Sequence, residues 1–458
     1  MFGDALVPIA PATFSVHVYD DVNADGTQDA GDTNLAGVTV DLLDGAGNPT
    51  GQSATTDASG NASFSGLAPG TYEIAVVTPA GDVVSQATNV STPNTLGGGT
   101  TANATVGLYV AASTLIDTTA HGSESATGAG QVLVSEAAGQ TLIGSAAGGD
   151  EFFGEGDTFI TAQGSNNTIY VASGNHSIVM GANNNTATLN NGNDTVSATG
   201  TGDTVTGGNG NDTITKMTGS ATITLGNGND SIVITGASNS VTVGTGTDTI
   251  SAGTGGGETV VAGDGANTIS VGGANDHITA GNGVNKISAT GADATIKAGN
   301  GGDTIAATGA GDTITTGSGN DTIQDIAGGA TIKAGLGLDT IKFAGSNNDI
   351  VNQGGTDTLT DSGTDNTIVL PLAGQGLDTI NGNVLANGDA FDLRAALAAT
   401  TWDQQLSDLA DYLTLGTSGA NTLVQLSTIS GGTPITVAVL NGQGSVSLSS
   451  FVSHTLLT

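Results

Sequence analysis

Aspartate residues recur every 18 positions through the second half of the chain, and their surroundings predict sites for a hard cation. A carboxylate supplies negative charge, and a glycine-rich turn lets backbone carbonyl oxygens point inward, which together suit Ca²⁺ and its six to eight oxygen ligands. The carboxylates follow turns that are mostly of the form G-x-G-x-D; they are Asp194, Asp212, Asp230, Asp248, Asp303, Asp321, Asp339 and Asp357. Asn267 and Asn285 interrupt the series.

Glycines occupy both the first and the third position in eight of the ten turns of this series. The glycines predicted to ligate metal through their carbonyl oxygens are Gly208, Gly210, Gly226, Gly228, Gly244, Gly246, Gly299, Gly301, Gly317, Gly319, Gly335 and Gly337. Tight turns also favour Gly, Asn and Asp without any ion. A stack of eight unneutralised carboxylates about one strand spacing apart would repel strongly, however, and this favours the metal site.

A second turn lies halfway through each 18-residue unit and keeps the signature poorly. Its equivalent positions are Asp203, Ala221, Asn239, Gly257, Asp276, Ala294, Asp312, Ala330, Asn348 and Asn366, of which three are acidic. Glycines at both the first and third positions occur in only one of these turns, as Gly253 and Gly255. The asymmetry predicts metal along one edge and a metal-free second edge.

The segments between the turns predict short strands. An aliphatic residue recurs every nine positions from Val196 to Ile341, with one inserted residue, and neither a helix nor a heptad has that period. Each D-T-I-x stretch alternates polar and apolar residues around a β-branched centre. The chain is therefore expected to be all-β, with a parallel β-solenoid whose 18-residue coils stack two aliphatic columns and are stapled by calcium.

The segment GGNGNDTIT, from Gly207 to Thr215, resembles the RTX family, whose nonapeptide is G-G-x-G-x-D-x-U-x. The resemblance extends over residues 190–370. It implies a calcium-binding β-roll that stays unfolded at low cytosolic calcium and folds after export. Family members usually bind calcium at both edges of the roll, so only the first-turn positions of this chain carry the family's ligands.

A second acidic motif lies near the N-terminus, between predicted strands. The spacing D-x-N-x-D-G resembles an EF-hand loop, and its candidate ligands are Asp21, Asn23, Asp25, Thr27, Asp29 and Asp32. A solvated, Asx-rich turn is the alternative. With the later segment from Thr55 to Ile74, the motif resembles the SdrD B-like or Cna-B-type repeat of bacterial surface proteins. The resemblance implies a β-sandwich whose acidic loop binds calcium.

Charge and composition favour an extracellular protein that needs cations. Asp and Glu number 42 against 6 Lys and Arg, and the formal net charge is −36, which disfavours nucleic acid as a partner. Cysteine is absent, so calcium is expected to take the stapling role of disulfides. We expect no Sec signal, because the N-terminus lacks a basic region, and no transmembrane segment, because no run of 18 apolar residues occurs.

The predicted domains are a sandwich at 1–112, a linker or irregular first coils at 113–150, the solenoid at 151–380 and a C-terminal module at 381–458. The last begins with Leu and Ala at helical spacing and continues with two strand-like runs, so an α+β or β cap is expected. The module also resembles a type I secretion target domain, which implies export by that apparatus. A solenoid cap is the alternative role, and the two are compatible.

Catalysis finds no support in the motifs, so we predict a protein that is not an enzyme. The five histidines are scattered, and neither H-E-x-x-H nor G-x-S-x-G occurs. We expect a secreted, calcium-dependent structural protein that self-associates at the bacterial cell surface into a layer, filament or matrix. The alternative is an adhesin that binds a glycan or another cell. A weaker alternative is ice binding, which the irregular row of outward turn residues disfavours.

Overall fold

The computed structural model describes residues 10–22, 27–28, 31–79, 82–88, 94–110, 114–117, 122–135, 138–352 and 354–457. The chain divides into two compact units, residues 1–190 and 191–458. Almost all of the regular structure is strand, and the prediction of an all-β chain with a parallel β-solenoid is confirmed. In the described part of the chain, no helix has the length and apolar character needed to cross a membrane.

The first unit begins with two antiparallel-rich sheets that pack as a sandwich. Its strands are β1 (Ala12–Asp20), β2 (Thr33–Asn34), β3 (Thr39–Asp44), β4 (Pro49–Thr55), β5 (Asn61–Leu67), β6 (Gly70–Val77), β7 (Asp82–Thr88), β8 (Asn94–Leu96) and β9 (Thr101–Val110). One sheet runs β2-β1-β9-β7 with β5 beside β1, and the other runs β4-β3-β6-β8. Alternate residues of β1, such as Phe14 and Val16, are buried in the core with Leu42, Ile74 and Leu108. The alternation read from the sequence thus sets which face of each strand is inside.

The coils of the first unit start inside the 113–150 segment. Their strands are β10 (Thr114–Asp117), β11 (Ser123–Ser125), β12 (Val132–Ser135), β13 (Thr141–Ile143), β14 (Glu151–Gly154), β15 (Phe159–Ala162), β16 (Thr168–Val171), β17 (Ser177–Met180) and β18 (Thr186–Thr188). Even-numbered strands pair in parallel with each other, and so do odd-numbered strands. Paired coils therefore precede residue 151.

In the second unit, one parallel sheet contains every second strand of the coils. These strands are β19 (Thr195–Ala198), β21 (Thr213–Met217), β23 (Ser231–Ile234), β25 (Thr249–Ala252), β27 (Thr268–Val271), β29 (Lys286–Ala289), β31 (Thr304–Ala307), β33 (Thr322–Asp325), β35 (Thr340–Phe343), β37 (Thr358–Asp361) and β39 (Asp378–Asn381). We call the turn that precedes each of these strands the first turn.

The other parallel sheet of the second unit contains the alternate strands. They are β20 (Thr204–Thr206), β22 (Thr222–Thr224), β24 (Ser240–Val243), β26 (Thr259–Ala262), β28 (His277–Ala280), β30 (Thr295–Lys297), β32 (Thr313–Thr315), β34 (Thr331–Ala334), β36 (Asp349–Asn352), β38 (Thr367–Val369) and β40 (Ala390–Asp392). The turn that precedes each of them is the second turn.

The nine-residue aliphatic period forms the core between these sheets. Ile214 pairs in register with Ile232, and Ile232 with Ile250, and all three are at most 1% exposed. In the other sheet Ile223 pairs with Val241 in the same way. The predicted pair of stacked aliphatic columns is confirmed, because one inward residue per strand falls in each column.

The C-terminal module contains far less helix than its Leu and Ala spacing predicts. The helices are α1 (Arg394–Ala398) and α2 (Leu448–Val452), and one 3₁₀ turn spans Leu409–Asp411. The remaining strands are β41 (Leu413–Ser418), β42 (Asn421–Leu426), β43 (Ile435–Leu440) and β44 (Thr455–Leu456). The helical spacing is realised only in α1 and the 3₁₀ turn, and the apolar residues Leu397, Trp402 and Leu409 are buried by tertiary packing.

Two strands of this module extend the two coil sheets. Strand β43 pairs in parallel with β39, and β44 pairs in parallel with β40. The ring of Phe391 in β40 stacks on Phe451 in α2 with centroids 5.1 Å apart. The module thus covers the last coil, as a solenoid cap must if the open sheet ends are not to pair with other chains.

Close stacking of the first turns gives a matched pair of glycine substitutions. A Cβ on Gly301, whose φ is +144°, would lie 1.9 Å from the carbonyl oxygen of Gly283, whereas a Cβ on Gly302 would come no closer than 3.3 Å to another coil. We expect Gly301→Ala to lower the free energy of unfolding by about 1–3 kcal/mol. Gly302→Ala should stay within about 1 kcal/mol of the unsubstituted protein. Urea unfolding in calcium buffer measures both, and equal effects would contradict the stacking.

Candidate metal centre

The first-turn carboxylates form one column in the second unit, with each side chain turned into the coil. The first-turn column consists of Asp194, Asp212, Asp230, Asp248, Asn267, Asn285, Asp303, Asp321, Asp339, Asp357 and Asp378. Each is at most 2% exposed. Backbone hydrogen bonds fix this placement, because the residue after each column position donates its N–H to the column residue of the preceding coil, as in Thr213 to Asp194 at 2.8 Å.

In the column aspartates from Asp212 to Asp357, one carboxylate oxygen bridges to the preceding coil. The N–H of Asp212 donates to Oδ1 of Asp230 at 2.9 Å, and the N–H of Asp230 donates to Oδ1 of Asp248 at 2.9 Å. The N–H of Asp321 donates to Oδ1 of Asp339 at 2.8 Å. Each carboxylate therefore lies between two coils, where an ion shared by neighbouring coils would lie.

The other carboxylate oxygen has no donor. Within the described residues, Oδ2 is buried and accepts no hydrogen bond in Asp212, Asp230, Asp248, Asp303, Asp321 and Asp339. A buried charged group without a partner is costly, roughly 1–3 kcal/mol or more for each lost hydrogen bond. These oxygens are acceptors that require either a proton or a cation.

The two asparagines of the column show which group would fill the position beside the carboxylate. Nδ2 of Asn267 donates to the carbonyl oxygen of Gly263 at 2.9 Å. Nδ2 of Asn285 donates to the carbonyl oxygens of Gly281 at 3.1 Å and Gly283 at 3.4 Å, and to Oδ1 of Asp303 at 3.0 Å. Gly281 and Gly283 are the first and third residues of their turn. An amide group thus takes the position where a cation would meet these oxygens.

The coils with aspartate in the column have the same turn carbonyl oxygens but lack that amide, so these oxygens are available as metal ligands. Their first and third turn glycines are the residues that the sequence predicts as ligands, and the carboxylate lies against them: a Cβ on Gly246 would be 3.3 Å from Oδ1 of Asp248. Carboxylate and carbonyl oxygens are the donors that Ca²⁺ prefers, and it tolerates irregular geometry. The residues present therefore fit calcium. Among the described residues, no three His, Cys, Asp or Glu side chains cluster around one point, so each site would take at most two carboxylates and otherwise backbone oxygens.

Burial shifts the titration of the column. It raises the pKa of Asp212 and Asp230 to about 6 and that of Asp339 to about 7, and repulsion between neighbouring carboxylates adds to the shift. Backbone N–H donors oppose these shifts without cancelling them. Protonation is thus the alternative to cation binding in the folded state.

Metal-free protein is expected to be more stable at pH 5 than at pH 8. The folded pKa values lie above the unfolded value of about 4, so this stabilisation is complete below about pH 4 and is lost as the pH rises through about 6 to 7. Thermal unfolding of calcium-stripped protein across this range measures the effect. With saturating calcium the trend should vanish or reverse, because calcium displaces the protons. A metal-free stability that rises with pH would contradict the burial of these carboxylates.

The column ends differently from the way it begins. Nδ2 of Asn352 donates to Oδ2 of Asp357 and, at 2.8 Å, to Oδ1 of Asp378. An amide therefore satisfies the carboxylate of Asp357, which the sequence predicts as a metal ligand. Asp378 extends the column, and the sequence reasoning missed it because 21 residues separate it from Asp357. The G-x-G-L-D pattern of Gly374 to Asp378, shared with Gly335 to Asp339, is the signal that could have found it.

The second turns have a different backbone conformation. The second-turn column consists of Asp203, Ala221, Asn239, Glu258, Asp276, Ala294, Asp312, Ala330, Asn348, Asn366 and Asp389. The residue just before the column position is left-handed, as in Ser238 with φ 60°, Asn275 with φ 64° and Asp293 with φ 60°. In the first turns the residue with extended or positive φ is instead a glycine two positions before the aspartate, as in Gly210 with φ 152° and Gly301 with φ 144°. The two edges thus offer different sets of backbone oxygens.

One assignment in the second turns is wrong. The spacing of the 18-residue repeat places Gly257 in the column, whereas the structure places Glu258 there. Glu258 is fully buried, and its Oε2 accepts the N–H of Asn239 at 2.8 Å. The inserted residue lies in this turn, so the column position moves by one. The second edge therefore has more buried acidic side chains than the repeat spacing predicts. Its metal-free character stays a prediction.

In the first unit, the equivalent positions are occupied by groups that satisfy one another. The N–H of Thr158 donates to Nδ1 of His176 at 3.3 Å, and Nδ2 of Asn167 donates to Oδ1 of Asn185 at 2.9 Å. Asp150 accepts the N–H of Gln131 at 3.0 Å on Oδ1 and the N–H of Ser145 at 2.7 Å on Oδ2. In the described part of these coils, the side chains of Asp150, Asn167 and His176 thus have protein partners.

The acidic loop of the sandwich is only partly described. Asp21 is fully buried and its Oδ2 accepts a hydrogen bond from Oγ of Ser85, while Oδ1 of Asp32 accepts the N–H of Val22 at 3.0 Å. Thr27 is exposed. Three further predicted ligands lie outside the described residues: Asn23, Asp25 and Asp29. The loop site stays a prediction.

Comparisons with known proteins address the N-terminal part of the chain. Residues 14–123 match the SdrD B-like domain family. Over 65 residues the chain is 45% identical to serine-aspartate repeat-containing protein F of Staphylococcus epidermidis, which covers 14% of this chain and 4% of that protein. It is 43% identical over 65 residues to serine-aspartate repeat-containing protein C of Staphylococcus aureus, again 14% of this chain and 7% of that protein. The chain spans only a small part of these relatives, and the likeness is to one domain.

Solved structures also match over about one fifth of the chain. The minor pilin GBS52 of Streptococcus agalactiae aligns with 22% of this chain and 45% of its own, at 20% identity and a TM-score of 0.18. The major pilin subunit of Bacillus cereus aligns with 22% of this chain and 28% of its own, at 16% identity and a TM-score of 0.16.

Proposed function

We propose that this protein is an extracellular structural component of a bacterial cell surface whose coils fold when calcium binds. The first-turn column carries the proposal: buried carboxylate oxygens without donors are interrupted by two asparagines whose amides contact the turn carbonyls. Calcium would supply the missing positive charge between coils. The resemblance to RTX proteins agrees with this chemistry.

Export and folding are linked in the proposal. With a formal net charge of −36, the metal-free chain repels itself, so the binding free energy of calcium becomes folding free energy. A chain that stays unfolded at cytosolic calcium levels suits the type I secretion apparatus, which is the proposed partner during export. The C-terminal module would be its target and, after folding, the cap of the coils.

The surface location is supported by the SdrD B-like match at residues 14–123. The acidic loop and the segment from Thr55 to Ile74 likewise resemble the SdrD B-like repeat of bacterial surface proteins. The sequence contains neither H-E-x-x-H nor G-x-S-x-G. We therefore assign the chain a structural role and no enzymatic activity.

Self-association is the proposed mode of assembly. The coil sheets present outward rows of Thr and Ser in register, such as Thr213, Ser231 and Thr249, on a regular parallel sheet. A repeating, flat polar surface offers many equivalent contacts to a second copy, and calcium could bridge acidic surfaces between copies. The proposal is a homo-oligomeric layer, filament or matrix.

Adhesion to a glycan or another cell is the alternative function. Aromatic residues make up 3% of the chain, so few side chains are available to stack on sugars. Ice binding needs an uninterrupted polar row at the turns, whereas Val284 is 63% exposed and Leu338 59% exposed there. Both observations favour assembly.

Sedimentation and negative-stain electron microscopy in calcium test the assembly proposal. The full chain should be unassembled in chelator and should form ordered sheets or filaments in millimolar calcium, but not in magnesium at equal ionic strength. Folded monomers in calcium at every protein concentration would overturn assembly, and binding of such monomers to cell-surface glycans would favour the adhesin.

A further inference from the structure

Two acidic side chains meet at the second edge, beside the C-terminal module, outside the first-turn column. Asp361 ends β37 and takes the inward position that Phe343 holds one coil earlier. Asp389 precedes β40 and follows an irregular segment that is longer than the other second turns. Asp361 is 4% exposed and Asp389 is fully buried.

One oxygen of each carboxylate is held by the protein. Oδ1 of Asp361 accepts the N–H of Gly363 at 2.7 Å and Nδ2 of Asn366 at 3.2 Å. Oδ1 of Asp389 accepts the N–H of Asn366 at 2.8 Å. Both side chains are therefore fixed in place before any ligand arrives.

The remaining oxygens lack a donor. Oδ2 of Asp361 and Oδ2 of Asp389 are buried, and no group in the described part of the chain donates to either. The two carboxyl groups are in contact. Burial is the main cause, and this contact the second, of the rise in the pKa of Asp389 to about 7. The nearby guanidinium of Arg394 is engaged with Asp392, its Nη2 lying 2.7 Å from Oδ2. Two acceptors thus meet at one site, and no described cationic side chain is paired with either of them.

We propose that, contrary to the metal-free second edge predicted from the sequence, Asp361 and Asp389 together bind one divalent cation of the calcium class at that edge. Two carboxylate oxygens, fixed and desolvated, match a hard cation, and the irregular geometry of a buried turn suits calcium better than octahedral magnesium. Neither residue belongs to a G-x-G-x-D turn, so the site differs in sequence and in position from the first-turn column.

The ion would fasten the C-terminal module to the last full coil. Asp389 leads directly into β40, whose Phe391 pairs with Thr455 of β44. Ala390 donates its N–H to the carbonyl oxygen of Asn366 at 2.7 Å, so the coil and the module already meet at this turn. Neutralising the two carboxylates would stabilise that junction.

Calcium binding to full-length variants tests the site. The variants are Asp389→Asn and Asp361→Asn, each compared with Asp365→Asn, which removes an exposed charge from the same turn. Bound calcium per chain is measured by equilibrium dialysis and atomic emission. We expect each test variant to bind one ion fewer than Asp365→Asn and to lose thermal stability only in calcium.

Two further results separate this site from the first-turn column. Asp230→Asn should lose calcium whether or not the second-edge site exists, and combining it with Asp389→Asn should give additive losses. If Asp389→Asn and Asp361→Asn bind as much calcium as Asp365→Asn, the two carboxylates share a proton instead and the proposal is wrong. Should one variant fail to fold, the other gives the same count.

Discussion

A triple variant with Asp212→Asn, Asp230→Asn and Asp248→Asn is expected to be more stable than the unsubstituted protein in chelator and less stable in calcium. In chelator the triple variant should be more stable than the unsubstituted protein, by roughly 1–3 kcal/mol per position, because it removes a buried oxygen that lacks a donor. Each new amide can donate to its turn carbonyl, as Asn267 does to Gly263 at 2.9 Å.

In saturating calcium the order should invert, because the variant has lost the ions that stabilise the unsubstituted chain. Each ion contributes about 2.7 kcal/mol at a free concentration of 100 times its dissociation constant. Urea unfolding with and without calcium measures both signs. Asp264→Asn, which neutralises an exposed acid at the same edge, is the control and should change little in either buffer. A triple variant that is less stable in both buffers would contradict the metal assignment.

The reverse substitution, Asn285→Asp, is expected to create a calcium site where the column is interrupted. It removes the amide that donates to Gly281 and Gly283 and places a carboxylate next to Asp303. The metal-free free energy of unfolding should fall by about 1–3 kcal/mol. Calcium should restore it, with one additional ion bound per chain.

Calorimetric calcium titration and thermal unfolding in chelator measure these two effects. Asn282→Asp adds the same charge at an exposed position of the same turn and should gain no tightly bound ion. An unchanged ion count in Asn285→Asp, with stability lowered in both buffers, would show that the position beside the carboxylate does not accept a cation.

The coil architecture was predictable because its determinants are local and repeated. One inward aliphatic residue every nine positions leaves a single way to bury Ile214, Ile232 and Ile250 together, and glycine-rich turns mark the strand ends. The positions of the first-turn column residues follow from the same period. Repetition averages out the weak signal of any single turn.

Residues beyond an insertion were not predictable in the same way. Glu258, Asp378 and Asp389 all follow turns whose length departs from the repeat, so counting by 18 passes over them. The left-handed conformation of the residue before each second-turn column position, such as Ser238, was also not predictable from residue type, because Ser, Asn, Asp and Gly all occur there. Sequence spacing alone therefore understated the acid at the second edge.

The C-terminal module shows the limit of local periodicity. Leu and Ala recur there at helical spacing, yet only Arg394–Ala398 is α-helical before the 3₁₀ turn. The pairing of β43 with β39 and of β44 with β40 joins segments that are far apart in the chain. Such long-range pairing overrides helical propensity, and no local pattern records it.

Calcium titration of metal-free, full-length protein at pH 7.5, followed by far-UV circular dichroism, tests the calcium-dependent fold most directly. We expect a metal-free protein that is only partly folded and of low thermal stability, and a cooperative gain of β-signal as calcium is added, with no such gain in magnesium at equal ionic strength. Full β-structure in the metal-free protein, unchanged by calcium in signal and in thermal stability, would contradict it.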